Sequence, residues 1–213
     1  GNGIRCVGKF LYDHGMVDIN EKDEITIETL SGIKKLKAYT SGGKVNRLRV
    51  DMGKAILDPK EIPVVLDGDK VVDRPVEIAG KNYNITCVSM GNPHCVVFMD
   101  DIDNLDIETV GPEFENDKLF PERVNTEFVT VLDDHTIKMR VWERGSGETW
   151  ACGTGACAVA VAACENGFCK KGEDIKIKLK GGDLIINYTD ETVYMTGTAE
   201  NVFEGEVEVE SWR

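Results

Sequence analysis

A cysteine stands directly before a short glycine-rich turn and an alanine-rich run: Cys152, then Gly153-Thr154-Gly155, then Ala156 to Ala163. The pattern predicts a helix from Gly153 to Asn166, closed by Gly167, with the thiol at its N-cap. The first turn of a helix presents unpaired N–H groups and a partial positive charge. A thiolate is favoured there, so Cys152 is expected to ionise well below the value of about 8.5 of a free thiol. The glycines let a ligand approach the backbone, and the same N–H groups suit a carboxylate. Together these features fit removal of the α-hydrogen of an amino acid. The charge passes to the carboxylate as an enediolate, which aimed N–H donors stabilise. A second acid/base group on the opposite face then completes inversion with no pyridoxal phosphate, other cofactor or metal. Two other readings stay open at this point. Cys152 could be a buried thiol beside a tight turn. The pattern Gly153-x-Gly155-x-x-Ala158 also fits a dinucleotide fingerprint, with Glu173 and Asp174 near its acidic position. The preceding Arg144-Gly145-Ser146-Gly147-Glu148 is unlike the buried strand that fingerprint requires.

The elements around this cysteine occur twice. Gly1-Asn2-Gly3-Ile4-Arg5-Cys6 opens a helical stretch that runs to His14 and stops at Gly15, and it matches Gly153-Thr154-Gly155-Ala156-Cys157-Ala158 at an offset of 152. Each closing glycine falls where a helix C-terminus takes a left-handed residue. Ile25 and Ile27 alternate with polar residues ahead of Gly32, as Ile175 and Ile177 do ahead of Gly182, at an offset of 150. Period-two alternation marks half-buried strands. Two related halves facing each other are therefore expected. Further strands are read at 34–40, 46–51, 74–78, 83–89, 94–99, 126–132, 136–142, 192–197 and 201–210, and a third helix, made short or irregular by Pro112, at 106–117. Many strands with one long helix per half predict an α+β fold of strand-rich, barrel-like domains around a central helix.

Composition narrows the function. The 213 residues carry a formal charge of −13 with 41% hydrophobic residues, a balance that disfavours nucleic acid as partner. No apolar run is long enough to span a membrane, and the first residues do not form a secretion signal. Seven cysteines, an odd number without a Cys-x-x-Cys pair, argue for reduced thiols in a cytoplasmic setting and against a metal site. Most are expected to be small buried apolar residues.

Several segments resemble the diaminopimelate epimerase family. Ala151 to Ala158 is similar to its second cysteine motif, Gly1 to Cys6 to its first, Met90-Gly91-Asn92-Pro93-His94-Cys95 to its central loop, and Trp142-Glu143-Arg144-Gly145 to its substrate-binding turn. Pro121-Glu122-Arg123-Val124-Asn125 adds a further match. The resemblance covers essentially the whole chain. It implies two pseudo-symmetric domains, 1–50 with 198–213 and 51–197, and a cleft between them. It implies interconversion of L,L- and meso-2,6-diaminopimelate, a step toward lysine and peptidoglycan, by two thiols without a cofactor, in a cytoplasmic homodimer.

Cys152 is then one proton-transfer group, and His94 and Glu143 adjust the thiols; the alternative role for His94 is to brace the Asn92-Pro93 turn. Asn92, Asn125, Glu143 and Arg144 would hold the distal, non-reacting amino-acid group. Gly1, Asn2, Gly153 and Thr154 would meet the reacting carboxylate. In the family the first cysteine directly precedes the Gly-Asn-Gly. The repeat gives the same answer, since the counterpart of Cys152 is the position before Gly1, and about seventy family residues belong ahead of it. Cys6 aligns with Ala158 and is expected only to pack, His14 to end its helix and His135 to be solvated. The alternatives are a proline or hydroxyproline racemase, whose substrates lack a distal group for Arg144, a PhzF-like isomerase, which carries a carboxylate where Cys152 stands, and a non-catalytic fragment.

Overall fold

The computed structural model describes residues 1–17, 23–29 and 32–207. Its helices are α1 (Asn2–Asp13), α2 (Ile107–Glu115) and α3 (Gly153–Glu165). The strands are β1 (Glu24–Thr29), β2 (Gly32–Ser41), β3 (Lys44–Asp51), β4 (Arg74–Ile78), β5 (Lys81–Ser89), β6 (Pro93–Phe98), β7 (Asn125–Asp133), β8 (Thr136–Glu143), β9 (Gly147–Thr149), β10 (Asp174–Leu179), β11 (Gly182–Tyr188) and β12 (Val193–Thr198). They form one mixed sheet in the order β1-β2-β3-β12-β11-β10-β8-β7-β6-β5-β4, with β9 paired to β8. The β6–β7 and β8–β10 pairs are parallel and the rest antiparallel. This is the α+β, strand-rich class that the sequence predicts.

The repeat is written into the hairpins. In β1–β2, Glu24 pairs with Lys37 and Thr29 with Gly32; in β10–β11, Asp174 pairs with Asn187 and Leu179 with Gly182. The two ladders share one register at the offset of 150 seen in the sequence. Their third strands, β3 and β12, run antiparallel against each other from Asp51↔Tyr194 to Arg47↔Thr198. The two units thus join edge to edge through the middle of the sheet.

Alanine has the best intrinsic helix propensity, and a helix apolar on all sides is a buried helix. The α3 helix is such a case: Gly153 and every residue from Gly155 to Ala163 are buried. They pack with Val88, Val96, Val129 and Met139 on one flank and Ile175, Ile186 and Met195 on the other. The opposite face of β4–β7 carries a second core, in which Ile85, Val97 and Phe128 meet Ile107 and Phe114 of α2. The α2 helix therefore lies behind the sheet from α3. By contrast α1 buries only Arg5 and Gly8 and packs on β2 and β3.

One strand expectation fails. Residues 201–207 hold no regular structure, and the remainder of the expected 201–210 strand lies outside the described residues. Val202 and Phe203 are more than four-fifths exposed. Alternating apolar residues make a strand only where a neighbouring strand takes their N–H and C=O groups.

Candidate active site

Cys152 occupies the N-cap of α3 with extended backbone angles, φ −128° and ψ 112°, and its Sγ accepts the Gly155 N–H at 3.4 Å. Thr154 Oγ1 lies 3.6 Å from the same sulfur. The helix-end donor expected from the sequence is therefore present. The expected ionisation is not. Burial, and after it the carboxylates of Glu127 and Glu143, push the thiol up, the Thr154 and Gly155 hydrogen bonds pull back only part of the way, and the net result is about 12. Desolvation and two nearby negative charges oppose the anion more strongly than one helix terminus supports it. In this arrangement Cys152 rests as a thiol.

A polar chain leads away from that sulfur. Asn92 Nδ2 donates to Thr154 Oγ1 at 3.3 Å, and Asn92 Oδ1 sits 3.1 Å from His94 Nε2. His94 Nδ1 meets Glu127 Oε1 at 2.7 Å. Both His94 and Glu127 are fully buried on the α3 side of β6 and β7. His94 contacts the Asn92 side chain of the Asn92-Pro93 turn, and it is linked to Cys152 through Asn92 and Thr154 on one side and through Glu127 on the other. Glu127 escaped the sequence reading. Burial raises its pKa, against the opposing pull of His94. Its Oε1 would stand 2.5 Å from a Cβ at position 155, and Cys152 Sγ 3.2 Å from it. Only a glycine at 155 lets that carboxylate lie beneath the first turn of α3. The clue in the sequence was a lone acidic residue at an inward position of Asn125–Asp133.

The end of β8 supplies the opposite wall. Ile137, Met139 and Val141 alternate into the α3 core, so Glu143 continues on that face, whereas Trp142 faces α2. Glu143 accepts the hydroxyl of Thr149 from β9. Asn125 is buried with both amide ends in use: its Nδ2 donates to the Pro93 carbonyl at 2.9 Å, and its Oδ1 receives the Arg144 N–H at 2.9 Å. It ties the central loop to the turn after β8. The Arg144 guanidinium donates to the Glu122 carbonyl at 2.8 Å and is solvent-accessible there.

The two matched helix ends meet. A Cβ on Gly1 would stand 3.3 Å from the Gly153 Cα, and one on Gly153 would stand 3.2 Å from the Gly1 Cα, with Met195 tight against both. Side chains at either position would wedge the N-termini apart. Asn2, matched to Thr154, has its Oδ1 held by Arg5 at 3.1 Å. Cys6 is exposed on α1 and is not drawn to this centre. His14 caps its own helix by contacting the Phe10 carbonyl at 2.8 Å, and His135 is half exposed near Asp134 and Glu173.

Among the described residues no group of three or more His, Cys, Asp or Glu side chains is placed to hold a metal ion, and no helix is long and apolar enough to cross a membrane. A groove of about 500 Å³ runs between α1 and residues 199–204 and includes none of the residues around Cys152. The centre is therefore located by its chemistry rather than by its volume.

Comparison with known proteins bears directly on this centre. Residues 86–202, which include the central loop, the β8 turn and the α3 N-cap, match the family model described as diaminopimelate epimerase. A diaminopimelate epimerase of Agathobacter rectalis is 51% identical across 98% of the chain and 75% of its own length. That of Acetivibrio thermocellus is 52% identical across 98% and 74%. The chain belongs to the diaminopimelate epimerase family. It spans about three quarters of the length of these diaminopimelate epimerase relatives. Solved structures extend the likeness in fold alone. A probable proline racemase from Agrobacterium radiobacter K84 has TM-score 0.74 at 16% identity, over 99% of this chain and 68% of that one. A hydroxyproline epimerase from Agrobacterium vitis has TM-score 0.68 at 15% identity, over 93% and 64%.

Proposed function

We propose that the protein interconverts L,L- and meso-2,6-diaminopimelate by cofactor-independent proton transfer, with Cys152 as one of two thiols. The observation that carries this reading is the pairing of a thiol with a helix N-terminus that touches its structural repeat. The position matched to Cys152 in that repeat is the one before Gly1, and the second thiol is assigned there.

Cys152, resting as a thiol, serves as the proton donor on its face of the α-carbon, and the thiol before Gly1 serves as the base on the other. As Cys152 gives up its proton, the Gly155 N–H and the Thr154 hydroxyl receive the new negative charge on sulfur. The reacting carboxylate lies against the facing helix ends around Gly1, Asn2, Gly153 and Thr154, where its enediolate meets unpaired N–H groups. For return transfer the roles reverse, as microscopic reversibility requires.

The distal amino-acid group is read by Asn92, Glu143 and Arg144. A guanidinium can bind its carboxylate at two points and Glu143 can pair with its ammonium. Asn125 contributes by holding the turn that carries Arg144. This distal site is the reason to prefer diaminopimelate over proline, which has no second amino-acid group. His94 is linked to Cys152 through Asn92 and Thr154, and Glu127 acts on the thiol directly through its charge. The same reading divides the chain into two halves, 1–50 with 198–213 and 51–197, supported by the matched hairpin registers. Family membership supports a cytoplasmic homodimer.

The test is chiral chromatography of L,L-diaminopimelate incubated with the full-length enzyme. Formation of the meso isomer, with L-proline left unchanged in parallel, is expected. Turnover of proline without turnover of diaminopimelate would assign the chain to the other racemase class.

A further inference from the structure

Behind the β8 turn, on the face away from Cys152, lies a buried carboxylate that none of this chemistry has used. Glu115 is the last residue of α2 and is nearly enclosed. A negative side chain there faces the negative end of the helix dipole, and burial removes its water. Three donors converge on it instead. Trp142 Nε1–H reaches Oε2 at 2.7 Å, and the Gly145 N–H and Arg123 Nη1 reach Oε1 at 2.8 and 2.9 Å. Two of the three belong to the turn that bears Glu143 and Arg144, and the third leads the segment into Asn125.

One turn earlier on the same helix face, Gly111 lies flat against the indole. A Cβ there would fall 2.3 Å from Trp142 Cδ2. Residues four apart share a helix face, so α2 presents a gap for the Trp142 ring and an acceptor for its N–H together. Strand alternation then finishes the arrangement: with Trp142 fixed behind the sheet, Glu143 must project in front of it.

We propose that Glu115 is the positioning residue of the substrate-binding turn, gripping Trp142 and Gly145 from behind so that Glu143 and Arg144 meet the distal amino-acid group. The inference rests on the reading of that turn as the distal-group site. It predicts an effect on binding that leaves proton transfer alone, because Glu115 does not contact the Cys152 chain.

The test uses the full-length enzyme carrying Glu115→Gln. A glutamine keeps one acceptor oxygen for Gly145 and Arg123 but turns N–H toward the Trp142 N–H, donor against donor. KM for diaminopimelate should rise on the order of tenfold, in the range typical for loss of a supporting hydrogen bond behind a site, while kcat changes less than about threefold. The Trp142 indole N–H resonance should move away from its carboxylate-bonded position. Trp142→Phe removes one donor and leaves the carboxylate in place, so it gives a second reading that does not depend on the Gln variant folding. Its KM should rise by about threefold with kcat held.

Arg144→Ala separates the two levels of the argument. If it raises KM while both other variants leave KM unchanged, the positioning role is wrong and the binding turn stands. If Arg144→Ala also leaves KM unchanged, the distal-group reading itself is wrong. A fall in kcat at constant KM for Glu115→Gln would overturn the role as well, since it would tie Glu115 to the reacting centre.

Discussion

The helices α1 and α3 begin with the same glycine pattern, carry hairpins of identical register and touch at their first residues, yet their surroundings differ. The α3 helix is apolar on every side and sealed between two flanks of the sheet. The α1 helix packs on β2 and β3 and leaves Val7 and Phe10 exposed. Across that difference the repeat holds constant what faces the centre, namely the glycines and the open N–H groups of the two helix ends.

Three substitutions in the full-length enzyme probe that comparison. The strongest is Gly153→Val. Its side chain meets Met195 and the Gly1 backbone at 3.1–3.2 Å already at Cβ, so the two helix ends must separate. A shift of about 1 Å between catalytic groups can cost on the order of 10²-fold, and a loss of that size is expected in kcat/KM for diaminopimelate. Activity within a factor of two would mean the contact between the helix ends is incidental.

Glu127→Gln concerns the α3 end alone. The Cys152 thiol is held up first by burial and next by Glu127. Removing that charge should lower its pKa, raise the thiolate fraction at pH 8–9 and speed iodoacetamide alkylation of Cys152 on the order of threefold to tenfold. In the unmodified protein the alkylation rate should still be climbing at pH 10, because the thiolate is a small fraction until pH nears 12. A plateau near pH 7–8 would restore the low-pKa thiol expected from the helix terminus. The same shift has a stability consequence with a definite sign. A thiol whose folded-state pKa lies above its unfolded value binds its proton more tightly when folded, so its contribution is complete below about pH 8.5 and is lost as pH rises toward 12.

Cys6→Ala should do least. Cys6 is exposed and sits where the repeat has an alanine. No change in turnover is expected, because Cys6 lies off the helix end and is not drawn to the centre. Loss of activity would make Cys6 a candidate for the second thiol and would break the match between the helix ends.

Much of this was legible in the sequence because it was local. The N-cap cysteine, the closing glycines Gly15 and Gly167, both with positive φ, and the paired hairpins follow from residues a few positions apart. The Asn92-Pro93-His94 loop and the Glu143-Arg144 turn were visible as motifs. Glu127 and Glu115 were not, because their roles arise from contacts between distant segments. Glu127 touches His94 across 33 positions, and Glu115 gathers donors from 8, 27 and 30 positions away. The ionisation of Cys152 was misjudged for the same reason: the helix terminus is a local fact, whereas its burial and the two carboxylates belong to the folded sheet. Residues 201–207 of the expected 201–210 strand depart from expectation for the opposite reason: the alternation is there, and among the described residues no neighbouring strand pairs with it.

The central claim is that Cys152 moves the proton on one face of the α-carbon. It is tested most directly by following diaminopimelate with the full-length enzyme and its Cys152→Ala variant in deuterated water, reading both deuterium at the α-carbon and the stereochemistry formed. The account predicts that the variant loses inversion by 10²-fold or more, about the contribution of a positioned proton-transfer group, and forms no deuterated product of inverted configuration at an appreciable rate. Inversion with deuterium incorporation at the unmodified rate would contradict it.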